Sequence, residues 1–110
     1  MASRRLRESE RSWRETVALI KTLPCTYPIR VRRCKTPDHS WGDCRLIRGR
    51  GPTHFLVRVS SGLKEPSRTL VLAHEVAHAL GWYPDHPRTE HHGAHWGIAM
   101  SRVWQALIEQ

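Results

Sequence analysis

Five consecutive positions of the 110-residue chain, His74-Glu75-Val76-Ala77-His78, bring together three side chains able to do chemistry on a metal. At 3.6 residues per turn, positions i and i+4 share one face of an α-helix, so two imidazoles spaced this way can grip one divalent cation. Glu75 lies about 100° round the helix from His74, beside such a metal and not on it. A carboxylate there can take a proton from water that the metal activates, which is the general-base role in metal-assisted hydrolysis. With eight His and seven Glu in the chain, residue frequencies give only about 0.04 chance matches to the pattern, so an accidental pair of surface histidines is the weaker reading.

A catalytic zinc takes three protein ligands and keeps one position open for water. The third ligand must come from downstream, where His86, His91, His92 and His95 are candidates and Glu90 is an acidic outsider. Gly81 stands where a metzincin has its glycine. The next ligand of that pattern would fall at Pro84, which has no ligating side chain, so the metzincin pattern fails.

Further residues narrow the reading. His74–His78 followed by His92-Gly93-Ala94-His95-Trp96 resembles the SprT-like (Spartan-type) zinc metallopeptidases, in which H-E-x-x-H is followed by a loop and a His-Gly segment opening the next helix. Ala94 stands where those enzymes usually have proline, and Trp96 where they have a bulky residue. Upstream, Gly42-Asp43-Cys44-Arg45-Leu46 resembles the strand that precedes their active-site helix. The likeness runs from Trp41 to Leu107. It implies His74, His78 and His92 as zinc ligands, Glu75 as catalytic base and a peptide or protein substrate. It also implies that residues 53–59 border the cleft, where a substrate strand could pair. A carboxy-terminal zinc ribbon is not expected, because the last cysteine is Cys44. His95 is the rival third ligand or a supporting partner, and Tyr83, His91 and His95 are candidates for a second electrophile.

These side chains need elements to hold them. Residues 3–22 read as a basic amphipathic helix with Leu6, Trp13, Val17 and Ile20 on one stripe and Pro24 beyond its end. Residues 27–59 read as a small, mostly antiparallel three-stranded sheet. In its first strand, 27–33, Ile29 and Val31 alternate with Arg30 and Arg32. Residues 35–43 form a loop in which His39 is solvated and Trp41 covers the core edge. Residues 44–48 are the second strand, Gly49 to Pro52 a turn, and 53–59 the third strand with Phe55, Val57 and Val59 inward. Residues 65–108 hold the zinc-binding helices. The first spans about 65–80, with Pro66 in its opening turn and Gly81 at its C′ position. The second spans about 93–108, with Trp96, Ala99, Met100, Val103 and Leu107 on one stripe and Trp104 packed beside it. The order is that of an α+β, minimal zincin-like domain occupying residues 1–110.

Composition sets the surroundings. No apolar run approaches the roughly 20 residues of a membrane span, and the basic amino terminus lacks the apolar core of a secretory signal, so a cytoplasmic protein is expected. Cys25, Cys34 and Cys44 are odd in number and lack C-x-x-C spacing, which favours free thiols over a metal site or a Cys34–Cys44 disulfide. The net charge is +8, and all of it lies in the front half: residues 1–50 hold 13 Lys/Arg against five Asp/Glu, and residues 51–110 hold five of each. Such asymmetry points to a polyanion partner, most simply nucleic acid. The alternatives to a peptidase are a zinc-stabilised nucleic-acid-binding module and a virion or assembly protein that keeps the fold without proteolysis.

Overall fold

Alternation decides the sheet. Phe55, Val57 and Val59 are fully buried, while His54, Leu56 and Arg58 between them are only partly covered. Period-two burial of this kind builds a strand with one face on a core and the other turned away from it. A computed structural model of the chain describes residues 12–84 and 92–107. Its elements are α1 (Trp13–Ile20), β1 (Ile29–Cys34), a short 3₁₀ turn at Pro37–His39, β2 (Gly42–Ile47), β3 (His54–Ser60), α2 (Ser67–Leu80) and α3 (Ala94–Leu107). The class is α+β, in the expected element order.

The strand order is β1-β3-β2, so the last strand in the sequence lies in the middle. β2 and β3 are an antiparallel hairpin, while β1 runs parallel to β3. The sheet is therefore mixed, with one pairing of each kind. The link from Cys34 to Gly42 carries the chain past one strand width, which leaves the central slot to β3, the strand with the most fully buried apolar face. Gly49 and Gly51 turn the hairpin with φ of 118° and 78°, a region that favours glycine.

This order corrects the expected substrate track. β3 has a hydrogen-bonded neighbour on each side, so its backbone cannot receive a further strand. The strand beside α2 that has a neighbour on one side only, among the described residues, is β2.

The register places three rows on the inner face: Ile29–Phe55–Leu46, Val31–Val57–Cys44 and Arg33–Val59–Gly42. α2 packs on β2 and β3 with one side and on α3 with the other. Burial from both sides covers Leu72, Ala73, Val76, Ala77 and Ala79, three of them alanines that allow close approach. α3 contributes Ala99, Val103 and Leu107, and α1 contributes Ile20. Tyr27, Phe55 and Trp82 close one end, with ring centroids 5.4–6.0 Å apart.

Several expected placements shift. α1 covers Trp13–Ile20 of the expected 3–22 and is capped by Ser12, whose hydroxyl accepts the Glu15 N–H at 3.1 Å; residues 3–11 lie outside the described part. Trp13 is half-buried against the core, as expected, and two guanidiniums, Arg33 and Arg68, lie 5.5 and 5.2 Å from its ring centroid. Trp41 does not cover the core edge: it is 69% exposed. Trp104 sits off the buried stripe of α3 and is 38% exposed, because one residue past Val103 turns the side chain about 100° away from the core. Cys25, Cys34 and Cys44 form no disulfide and are half-buried. β3 separates the strands of Cys34 and Cys44, and two strand spacings of about 4.8 Å exceed the Cα separation a disulfide tolerates. No helix among the described residues is long and apolar enough to cross a membrane.

Candidate metal centre

α2 starts at Ser67, two residues after the expected position, and Glu65 caps it from outside. Its carboxylate accepts both the backbone N–H of Thr69, at 2.8 Å, and the Thr69 hydroxyl. An acidic group here also suits the positive end of the helix dipole. The helix runs without interruption through His74 and His78, so both imidazoles leave the same face.

The other end of α2 explains the third imidazole. Gly81 has φ −84°, an ordinary right-handed value, so its need for glycine is not conformational as a C′ glycine's would be. A Cβ at Gly81 would lie 2.9 Å from the His95 carbonyl oxygen and 3.0 Å from its carbon. The missing side chain therefore lets the first turn of α3 rest on the end of α2. That contact brings His92, two residues ahead of α3, over the His74–His78 face.

The three imidazoles converge. One ligand atom from each of His74, His78 and His92 lies within 4.8 Å of the others, and His74 Nε2 and His92 Nε2 are 3.1 Å apart. Nitrogens bound at 2.0–2.1 Å around a tetrahedral metal would be about 3.3 Å apart, so the His74–His92 pair already has nearly that spacing and the whole set lies close enough to share one ion. His78 is buried, His74 half-buried and His92 exposed, so the cluster has a closed side and an open side. Burial holds the His74 pKa below its ordinary value, and the neighbouring His92 lowers it further. Both effects favour the neutral imidazole that a metal requires.

Trp96 forms the wall of this cluster. Its ring centroid lies 5.2 Å from His74, 4.9 Å from His92 and 6.0 Å from His78, and its Nε1–H donates to the His74 carbonyl oxygen at 3.3 Å. Helical periodicity put Trp96 on the core stripe; the structure puts it against the histidines. Its place directly after the His92 segment was the available signal.

Glu75 stands next to the cluster, facing β2. Burial raises its pKa to about 7, with the Asp43 carboxylate adding to the effect. Gly42 makes this proximity feasible, since a Cβ there would lie 2.7 Å from the Arg58 carbonyl oxygen, 2.8 Å from Val71 Cγ1 and 3.3 Å from Glu75 Cγ. Asp43 is held by Arg58, whose Nε donates to one carboxylate oxygen at 2.8 Å while Nη2 donates to the other. Cys44, also beside Glu75, has its thiol pushed well above the usual range, first by burial and then by the Glu75 charge.

His95, the rival third ligand, is not part of the cluster. It stacks on Tyr83 with ring centroids 4.0 Å apart and planes 26° from parallel. His86, Glu90 and His91 lie outside the described residues, as does the side chain of His39. Compared with known protein families, curated proteins and solved structures, the chain matches none. The arrangement itself can hold a cation by three imidazoles, one of which lines an open groove, with a carboxylate within one helical step.

Proposed function

We propose that this chain is a zinc-dependent endopeptidase of SprT-like type. The observation that carries the reading is the convergence of His74, His78 and His92 beside a partly buried Glu75. Three imidazoles with an exposed side are the donor set of a catalytic zinc, whereas structural zinc sites are closed by four protein ligands. Bound there, zinc would supply a Lewis acid and lower the pKa of water toward about 7.

The chain's own groups do the rest. Glu75 takes the proton of a water molecule as its oxygen attacks the carbonyl carbon of the scissile peptide bond. The carboxyl then returns that proton to the amide nitrogen as the C–N bond breaks, leaving a free acid and a free amine. The free edge of β2 offers backbone donors and acceptors along which an extended substrate can pair next to Glu75. Trp96 closes the opposite side and keeps the imidazole rings in place.

Metal analysis and peptide hydrolysis test the reading together. Wild-type protein should bind one zinc per chain and cleave an unstructured protein such as casein. Glu75→Gln should keep the zinc and the fold and lose cleavage by about 10²–10⁴-fold. Cleavage at the wild-type rate by Glu75→Gln would remove Glu75 from its role.

The nucleic-acid partner rests on a different surface. Cross-strand register puts Arg30 and Arg32 of β1, Arg58 of β3 and Arg45 of β2 on the outer face of the sheet, with Asp43 the single acid among them. Among the described residues no helix packs on that face. Four guanidiniums against one carboxylate favour phosphate contacts, and DNA-associated proteins are then the natural substrates of the metal centre. Replacing Arg30, Arg32 and Arg45 together by Ser should weaken DNA binding for all sequences alike and lower the salt slope by about three. An unchanged slope would free the sheet face of this role.

A further inference from the structure

Trp41 and Leu70 are the two large apolar side chains left exposed beside the metal centre, at 69% and 41%. Both line one groove of about 450 Å³, whose remaining walls are Gly42, Val71, His74 and Glu75. The groove thus reaches the reacting groups: its lining includes His74, a metal ligand, and Glu75, the general base. We propose that Trp41 and Leu70 form a specificity subsite that takes a bulky apolar side chain, aromatic or branched aliphatic, from the substrate residue flanking the scissile bond. The inference rests on the peptidase reading of the same site and adds the class of substrate residue it accepts.

Three observations fix the occupant. The first is distance along α2. Leu70 precedes His74 by four residues, and Val71 precedes Glu75 by four, so each apolar residue lies just over one helical turn, a rise of about 6 Å, from its polar counterpart on the same face. A group seated there is within one substrate residue of the attacked carbonyl. The second is the fixed position of Trp41. Its carbonyl oxygen accepts the Ser60 N–H at 2.8 Å, which continues the β2–β3 ladder by one residue. An indole held by its backbone at the head of an edge strand, with most of its ring in water, is placed to stack on a neighbour. The third is the nature of the walls. Apart from His74 and Glu75, the side chains of the groove are Trp41, Leu70 and Val71, which offer no charge and no hydrogen-bonding group except the indole N–H, so a polar side chain resting on them gains little in exchange for its water.

Gly42 belongs to the same design. Bare backbone at the first residue of β2 leaves space between the Trp41 ring and α2, and any larger residue would meet Val71 and Glu75. An extended peptide running along β2 sends alternate side chains to the α2 side of the strand, and the groove is where one of them enters.

The test uses zinc-loaded protein and short peptide hydroxamates that differ only in the side chain next to the metal-binding group: glycine, leucine or phenylalanine. Dissociation constants are measured by calorimetry, and zinc content reports folding. Wild-type protein should bind the leucine and phenylalanine compounds at least about tenfold more tightly than the glycine compound. Trp41→Ala with Leu70→Ala should bring that ratio close to one, and Trp41→Phe should retain most of it. Equal affinity for all three compounds in the wild type, no binding of any of them, or a ratio unchanged in the double variant would overturn the subsite. Side-chain-ordered binding by a protein that hydrolyses no peptide would uphold the subsite and remove the peptidase reading, so the two fail separately.

Discussion

His74 and His78 reach the centre from within a helix packed between a sheet and another helix, whereas His92 reaches it from two residues ahead of a helix and is exposed. The first pair is set by local geometry, since i and i+4 share a face whatever surrounds them. The third depends on how closely α3 lies on α2, which the absence of a side chain at Gly81 permits. A preformed pair and an adjustable third donor would make a site whose metal affinity depends on the docking of α3 as well as on the ligands themselves.

The sharpest way to break this contrast is to remove one ligand of each kind. His78→Ala and His92→Ala should each lower zinc affinity by more than about 100-fold, beyond the loss typical of a supporting residue. Their effects on the metal-free fold should diverge. The buried His78 leaves a void that costs about 1–3 kcal/mol, while the exposed His92 changes stability by less than about 0.5 kcal/mol. Equal destabilisation in denaturant melts would show that both belong to the packed part.

Gly81→Ala probes the docking itself. The added methyl must push the His95 backbone away, so zinc affinity should fall by about tenfold with all three histidines intact. Unchanged affinity in a zinc-competition assay would mean that His92 finds the metal without this contact. Gly42→Ala applies the same test to the strand side. A Cβ 2.7 Å from a backbone oxygen cannot be absorbed by a rotamer change, so stability should fall by about 1–3 kcal/mol in urea.

The smallest effect concerns Cys44. Its folded thiol lies above the ordinary value of 9.0, so its share of stability is intact below pH 9 and is lost as pH rises beyond it. Only the thiolate reacts with iodoacetamide. At pH 8.5, Cys44 should therefore be alkylated at least about tenfold more slowly in the folded protein than in urea, as read by mass spectrometry of its peptide. Rapid labelling of the folded chain would place that thiol in water rather than against Glu75.

The aromatic residues show where the sequence stopped being legible. Spacing identified Phe55 and the α3 stripe of Ala99, Val103 and Leu107, because burial follows period two in a strand and 3.6 in a helix. The same periodicity misplaced Trp96, while Trp41, read as a loop residue over the core edge, and Trp104, read as packed beside the stripe, are exposed. A large amphipathic ring satisfies a core stripe, the wall of a polar site or an exposed groove equally well, and only the neighbouring element decides between them. The sheet shows the same limit: alternation identified three strands but not which one would be central, since strand order is set by how the connections cross and not by any strand's own pattern.

The amino-acid sequence alone determined which groups the helix offers to the centre, because two imidazoles and a carboxylate on one helix are fixed relative to each other by the backbone hydrogen bonds of that helix. It also determined the elements, through the two periods of burial. Among the described residues, the tertiary structure decided that His92 and not His95 completes the cluster, which strand edge lies free beside Glu75 and which tryptophan lines the open groove. Each of these is a contact between segments far apart in the chain, set by the space that Gly42 and Gly81 leave and by the packing of α2 between its two neighbours.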